Sequence, residues 1–206
     1  HASLLPKYRG AAPIQHALLN GEDKTGISTF LIDEKIDTGN LILQEKIRIG
    51  EMDDFGKIYT KLSEKGPNLI MKSISHIINK EPLVKQKGKI TYAKKIKKND
   101  NQINWNLAAN QIFNLIRAFS PTPGAFSYIL DKRVKLLLSK KIKSKTKFIA
   151  PGNISLDNSR FFVGTSTEPI EILELQQEGK RKMSAIEFIN GLSSTKPSQL
   201  KFESRK

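Results

Sequence analysis

The chain contains no cysteine among its 206 residues. Disulfides, thiolate nucleophiles and cysteine-based zinc sites are therefore excluded. The same absence fits a reducing compartment, and a cytoplasmic location is the expectation. Histidine is nearly as scarce, with three residues. His16 and His76 have no partners at metal-ligand spacing, so they read as structural, and no metal is expected. No apolar run approaches the roughly 18 residues of a membrane span. No internal repeat is visible, which sets aside solenoid architectures. Acid is short relative to base: 20 Asp and Glu stand against 35 Lys and Arg.

The charge is unevenly placed. Residues 1–82 hold 11 basic and 11 acidic side chains, net 0, whereas residues 83–206 hold 24 and 9, net +15. A basic region beside a neutral one suits a polyanionic partner such as RNA. A lysine-rich solvated surface explains the same count, and composition does not choose between them.

The first forty residues organise the rest. They open with His1-Ala2-Ser3-Leu4-Leu5-Pro6-Lys7-Tyr8-Arg9-Gly10-Ala11-Ala12-Pro13-Ile14-Gln15 and close with Asp33-Glu34-Lys35-Ile36-Asp37-Thr38-Gly39-Asn40. Pro13 suits the first turn of a helix whose apolar face is Ile14, Ala17 and Leu18, ended by Asn20-Gly21. Residues 26–32 read as a strand buried on both faces. A helix and a strand between the two motifs bring His1 and Asp37 to one end of a sheet, a plausible acid/base pair.

Further on, residues 41–49 read as a second strand. Asp53 or Asp54 caps a helix that Gly66-Pro67 breaks or kinks before it continues over 69–78. Residues 83–100, rich in lysine, read as a linker. Asn106 caps a helix running to Phe119, with Trp105 and Phe119 in the core. Five short strands follow, over 126–130, 134–138, 153–156, 160–164 and 170–176, and argue for a small OB-type barrel. Ser184 caps a last helix over 185–190, and the tail from Ser193 reads as frayed.

The two motifs resemble those of the folate-dependent formyltransferase family, in the branch that acts on methionyl-tRNA. The match extends through Tyr92-Ala93-Lys94-Lys95-Ile96 and Ile103-Asn104-Trp105 to Arg117-Ala118-Phe119-Ser120-Pro121. The family motif is Asn-x-His, and here the sequence starts at its His, so a fragment lacking the N-terminal half of the catalytic domain is expected. The implied fold class is α/β, the C-terminal half of a Rossmann-like formyltransferase domain over 1–82, a basic linker over 83–100 and an OB-like tRNA-binding domain over 101–206.

The resemblance also implies the chemistry. A formyl group passes from 10-formyltetrahydrofolate to the amino group of methionine on initiator tRNA, with a monomer as the expected state. His1 polarises the formyl oxygen, and Asp37 orients the imidazole and carries protons through water. Ser3, Leu4, Leu5 and Pro6 line the folate pocket, with the loop over 32–38 as the other wall. Lys7, Tyr8 and Arg9 are placed to meet the tRNA acceptor end, or else form a surface turn. Lys140, Lys141, Lys143, Lys145 and Lys147 either grip RNA or are a solvated strand face. Competing functions are a formyltransferase acting on a sugar nucleotide, a 10-formyltetrahydrofolate hydrolase, and a non-catalytic RNA-binding chain.

Overall fold

In a computed structural model the chain divides into two compact units, His1–Lys97 and Lys98–Lys206. The structure describes residues 1–142, 148–192 and 200–204.

The first unit begins with the His1 loop and a short strand, β1 (Arg9–Gly10), followed by α1 (Pro13–Leu19). Pro13 stands in the first turn of α1, where its missing N–H costs nothing, and Ile14, Ala17 and Leu18 are buried. The hairpin β2 (Lys24–Phe30) and β3 (Leu41–Arg48) is antiparallel. Between its strands lies the loop that carries Asp37. The strand ends at Phe30, and the expectation that residues 26–32 are buried on both faces fails at its end. Leu31 is 43% exposed and Ile32 93% exposed, because the chain leaves the ladder and enters the open loop.

The hairpin packs on α2 (Phe55–Ile78), capped by the Asp54 carboxylate, which accepts from the Lys57 N–H at 2.8 Å. The helix runs unbroken through Pro67, which is exposed, so the carbonyl freed by its missing N–H meets solvent. Ile58, Leu62 and Leu69 are its buried side chains, whereas Ile70, Met71, Ile74, Ile77 and Ile78 form an exposed apolar stripe. His76 closes the helix, pairing with Glu81 at 2.9 Å and donating from Nε2 to the Pro82 carbonyl. Residues 84–93, within the stretch expected to link two domains, run along this unit. Val84 bridges Leu41, and β4 (Tyr92–Ala93) pairs in parallel with β1.

The second unit packs α3 (Ala109–Phe119) against an antiparallel sheet in the order β5-β6-β9-β8-β7. Its strands are β5 (Ala125–Ile129), β6 (Lys132–Lys141), β7 (Ile154–Asp157), β8 (Arg160–Val163) and β9 (Ile170–Gln177). Each expected strand is present, with ends displaced by at most three residues. A short β10 (Met183–Ser184) adds to β9 and leads into α4 (Ala185–Asn190), where Ser184 and Glu187 form a capping box. Asn106 does not cap α3. The first helical N–H, that of Ala109, is met instead by the Thr167 hydroxyl at 3.0 Å, a partner 58 residues away.

The closed OB-type barrel is not formed by these ladders, because among the described residues the outer strands β5 and β7 do not pair with each other. The backbone of residues 200–203 lies between them. Glu203 exchanges both backbone hydrogen bonds with Tyr128, and Phe202 donates to the Gly152 carbonyl. This part of the tail is not frayed. Leu200 and Phe202 are 2% and 1% exposed, and Phe202 stacks on Trp105 with ring centroids 5.4 Å apart. Trp105 also donates to the Ser127 hydroxyl at 2.9 Å, and Phe119 is fully enclosed. Lys143, Lys145 and Lys147 lie outside the described residues, while Lys140 and Lys141 end β6.

Phe202→Ala is expected to lower the stability of the chain by about 3–5 kcal/mol, the usual cost of emptying an aromatic core position. Urea unfolding followed through Trp105 fluorescence measures it, and a loss under about 1 kcal/mol would show that the tail contributes little to the core.

Candidate active site

The His1 loop is fixed before any side chain is considered. The His1 N–H donates to the Ser28 carbonyl and the Ser28 N–H to the His1 carbonyl, both at 2.9 Å, so His1 lies alongside β2 as an added strand residue. One buried hydroxyl, that of Ser28, holds the next three residues. It donates to the Ser3 carbonyl and accepts from the Leu5 N–H and from the Gln44 amide. Gly26 makes room for the loop to lie down on the strand, since a Cβ there would overlap the Glu45 carbonyl oxygen and the Leu4 side chain.

Tyr8 turns the loop back. Its φ of +60° is a conformation that side chains rarely adopt, and it aims the Tyr8 carbonyl at the imidazole. His1 Nε2 lies 2.9 Å from that oxygen, so Nε2 carries the proton and donates. The phenol is anchored at the end of α1, donating to Glu22 at 2.8 Å and accepting from Asn20 at 3.1 Å. Burial and the neighbouring Glu22 push the Tyr8 hydroxyl up to about 12, so it remains a neutral donor at ordinary pH.

Asp37 reaches the same place from the β2–β3 loop. Its φ of +54° is in the left-handed region, which Asp tolerates better than most residues. Asp37 Oδ2 accepts from the Gly10 N–H at 2.8 Å and stands 3.5 Å from His1 Nδ1. The two motifs are thus joined at one carboxylate oxygen. The side chains of His1 and Asp37 are 9% and 18% exposed, which weakens solvent screening between them. Gly39 is required by the neck of the loop, where a Cβ would overlap the Leu31 carbonyl.

Gln86 is the residue that sequence reasoning missed. Its amide N–H groups reach the carbonyls of Asp37 at 2.9 Å and Gly39 at 2.8 Å. Its carbonyl oxygen accepts from Arg9 Nη2 at 2.6 Å and Nε at 3.2 Å. One side chain therefore ties the Asp37 loop to β1. Nothing in the sequence separates it from the lysine run around it. The reading of Tyr8 and Arg9 as a surface turn or a tRNA contact fails for the same reason, because both are buried in this scaffold, at 6% and 7% exposure.

The residues expected to hold folate fall into two groups. Ser3 is fully buried and its hydroxyl is spent on the Lys7 carbonyl at 2.6 Å. Leu4, Leu5 and Pro6 line a cavity of about 320 Å³, whose wall includes neither His1 nor Asp37. Next to Asp37 itself, Ile32 and Ile36 are open apolar surface, 93% and 74% exposed. His16 is structural, with Nε2 donating to the Lys94 carbonyl at 3.1 Å. Among the described residues no group of three His, Cys, Asp or Glu side chains could hold a metal ion, and no helix is long and apolar enough to cross a membrane.

Comparison with known proteins gives a consistent picture. The profile of the family described as "Formyl transferase" matches residues 1–74, and that described as "Formyl transferase, C-terminal domain" matches residues 95–193. A protein of Thermodesulfovibrio yellowstonii named methionyl-tRNA formyltransferase is 46% identical over 195 residues, which is 93% of this chain and 61% of that protein. The chain spans about three fifths of the length of the curated relatives it matches. Among solved structures, a Helicobacter canadensis N-formyltransferase complexed with folinic acid and dTDP-3-aminofucose superposes with a TM-score of 0.66 at 28% identity, covering 82% of this chain and 63% of that one. HypX from Aquifex aeolicus in complex with tetrahydrofolic acid shares the fold, with a TM-score of 0.68 at 17% identity over 100% of this chain and 38% of that one.

Gln86→Leu is expected to leave two loop carbonyls and the Arg9 guanidinium without their partner. The cost to the first unit is about 1–3 kcal/mol. The Gly10 amide, which donates to Asp37, should also exchange with solvent faster than in the parent. Hydrogen-exchange NMR measures this, and unchanged protection of Gly10 would show that the Asp37 loop stands without Gln86.

Proposed function

Because the chain belongs to the formyl transferase family, we propose that it carries part of a methionyl-tRNA formyltransferase, which moves a formyl group from 10-formyltetrahydrofolate to the amino group of methionine on initiator tRNA. The observation that carries this reading is the convergence of His1 Nδ1 and the Gly10 N–H on Asp37 Oδ2.

Formyl transfer needs two things from the protein. The amine attacking the formyl carbon must lose a proton, and the carbonyl oxygen must be stabilised as it gains charge. With Nε2–H committed to the Tyr8 carbonyl, Nδ1 is the functional nitrogen of His1. At 3.5 Å the Nδ1 to Asp37 distance is long for a hydrogen bond. A proton on Nδ1 therefore stays in the field of the carboxylate while remaining available to a substrate oxygen. Asp37 lies beside Nδ1 and is itself oriented by Gly10, so the pair is aligned before substrate arrives.

The residues present suit a folate. Ile32 and Ile36 give exposed apolar surface on the loop that carries Asp37, and Leu4, Leu5 and Pro6 line a separate cavity. The folate supplies the activated formyl group; these side chains would hold and orient it. For the acceptor, the excess of +15 over residues 83–206 favours tRNA over a small sugar nucleotide such as that bound by the Helicobacter canadensis protein.

Two outcomes are expected. With the N-terminal portion of the Thermodesulfovibrio yellowstonii relative joined ahead of His1, His1→Ala and Asp37→Asn should each lower formyl transfer to methionyl-tRNA by about a hundredfold or more. Near-normal turnover in either variant removes that residue from the mechanism. Separately, tRNA binding by the chain should fall steeply with salt. Replacing the exposed Lys94, Lys95, Lys97 and Lys98 by Ala should weaken it and flatten the salt slope, by about 0.7–0.9 for each phosphate left without its lysine. A filter-binding series shows this, and an affinity independent of salt, or a slope unchanged in the variant, would mean the lysines serve only solvation.

A further inference from the structure

The cavity beside Leu4, Leu5 and Pro6 continues onto lysines. Lys7, Lys24, Lys46, Lys87 and Lys89 line it, with Glu22 as its single carboxylate. Glu22 is already occupied: Lys7 pairs with it at 2.9 Å and Tyr8 donates to it at 2.8 Å. Burial opposes its ionisation, but those hydrogen bonds and the charges of Lys7 and Lys24 hold the carboxyl below the usual range, so it stays paired at neutral pH. Among the described residues no ion pair joins Lys24, Lys46, Lys87 or Lys89 to any carboxylate.

The strand register gathers two of these cations. Lys24 lies opposite Arg48 and Gly26 opposite Lys46, so Lys24 and Lys46 share one face of the hairpin, on which the Leu4 side chain lies over Gly26. Lys87 and Lys89 come from the segment that Gln86 anchors and line the same cavity. Four unneutralised cations around one concavity repel each other, and a bound polyanion relieves that repulsion.

We propose that this cavity holds the carboxylates of the folate donor's γ-glutamyl tail. The inference rests on the folate reading of the preceding subsection. His1 and Asp37 stand at one end of the loop system, and Leu4, Leu5 and Pro6 follow in sequence between them and the lysines. A folate has that order: the formyl-bearing ring system, an apolar aminobenzoyl spacer, and an anionic tail. At about 320 Å³ the cavity is at the small end of ligand sites, suited to tail residues and too small for a whole folate. Each additional glutamyl unit brings one more carboxylate to the lysine rim.

The test compares 5-formyltetrahydrofolate carrying one and five glutamyl residues, titrated calorimetrically into the chain at low salt. The five-glutamyl form should bind about tenfold tighter, a gain of about 1.4 kcal/mol. The double variant Lys24→Gln with Lys46→Gln should erase that advantage and should weaken the one-glutamyl form, which carries only two of the carboxylates, by a smaller factor than the five-glutamyl form. Lys87→Gln with Lys89→Gln, from a separate segment of the wall, should do the same. Equal affinity for the two forms in the parent chain overturns the proposal while leaving the folate reading in place. An advantage that survives both double variants overturns it as well. If inorganic tripolyphosphate binds saturably, fails to bind the variants, and leaves the binding heat of both folate forms undisturbed, the lysines belong to phosphate and the proposal is overturned too. If the one-glutamyl form itself does not bind, the folate reading fails first and this inference with it.

Discussion

The amide of Gln86 is the interaction on which the geometry of the site depends. The two motif loops have no ladder of their own that joins them near the reacting groups. One is bound to β2 through His1 and Ser28, the other is closed at its neck by Leu31 and Asn40. Gln86 connects the second to Arg9 with both ends of its side chain, donating twice and accepting twice. Because Arg9 sits in β1, next to the Gly10 amide that holds Asp37, the carboxylate is located by backbone and amide hydrogen bonds rather than by its own charge. A half-buried network of five such hydrogen bonds limits movement, and rigidity at the carboxylate is what a proton-handling pair requires.

Around that fixed centre the environment changes sharply over a few residues. Asp37 and His1 are mostly enclosed, while Ile32 and Ile36 are open to solvent. Exposed isoleucines in the loop that carries an enclosed carboxylate are costly for a free surface and useful for a ligand with an apolar body. The cations lie elsewhere, on the hairpin edge and the far segment. Apolar contact and charge are thus separated along one loop system, which allows a single elongated ligand to be read in parts.

The element order was legible in the sequence, because it rests on local chemistry: a proline at a helix start, a glycine at a turn, alternation in the strands; His1 and Asp37 were singled out with the help of the family resemblance. What was not legible depends on partners far apart in the chain. Thr167 capping α3 in place of Asn106 is such a case, as is Gln86 within a lysine-rich stretch that reads as a tether. The tail after Ser193 is polar in composition, and nothing local marks Leu200 and Phe202 as core residues. The lysine-rich rim of the cavity was equally hidden, since Lys7, Lys24, Lys46, Lys87 and Lys89 come from four separate segments.

The position of Phe202 between Trp105 and Phe161 has a consequence for the order in which the second unit is made. A ribosome delivers Trp105 and β5 long before residues 200–203, yet β5 takes its outer hydrogen bonds from Glu203 and the core takes its last ring from Phe202. During synthesis the growing unit therefore carries an open strand edge and a half-covered tryptophan. Its core and the outer edge of β5 are complete only once the chain through residue 203 has emerged.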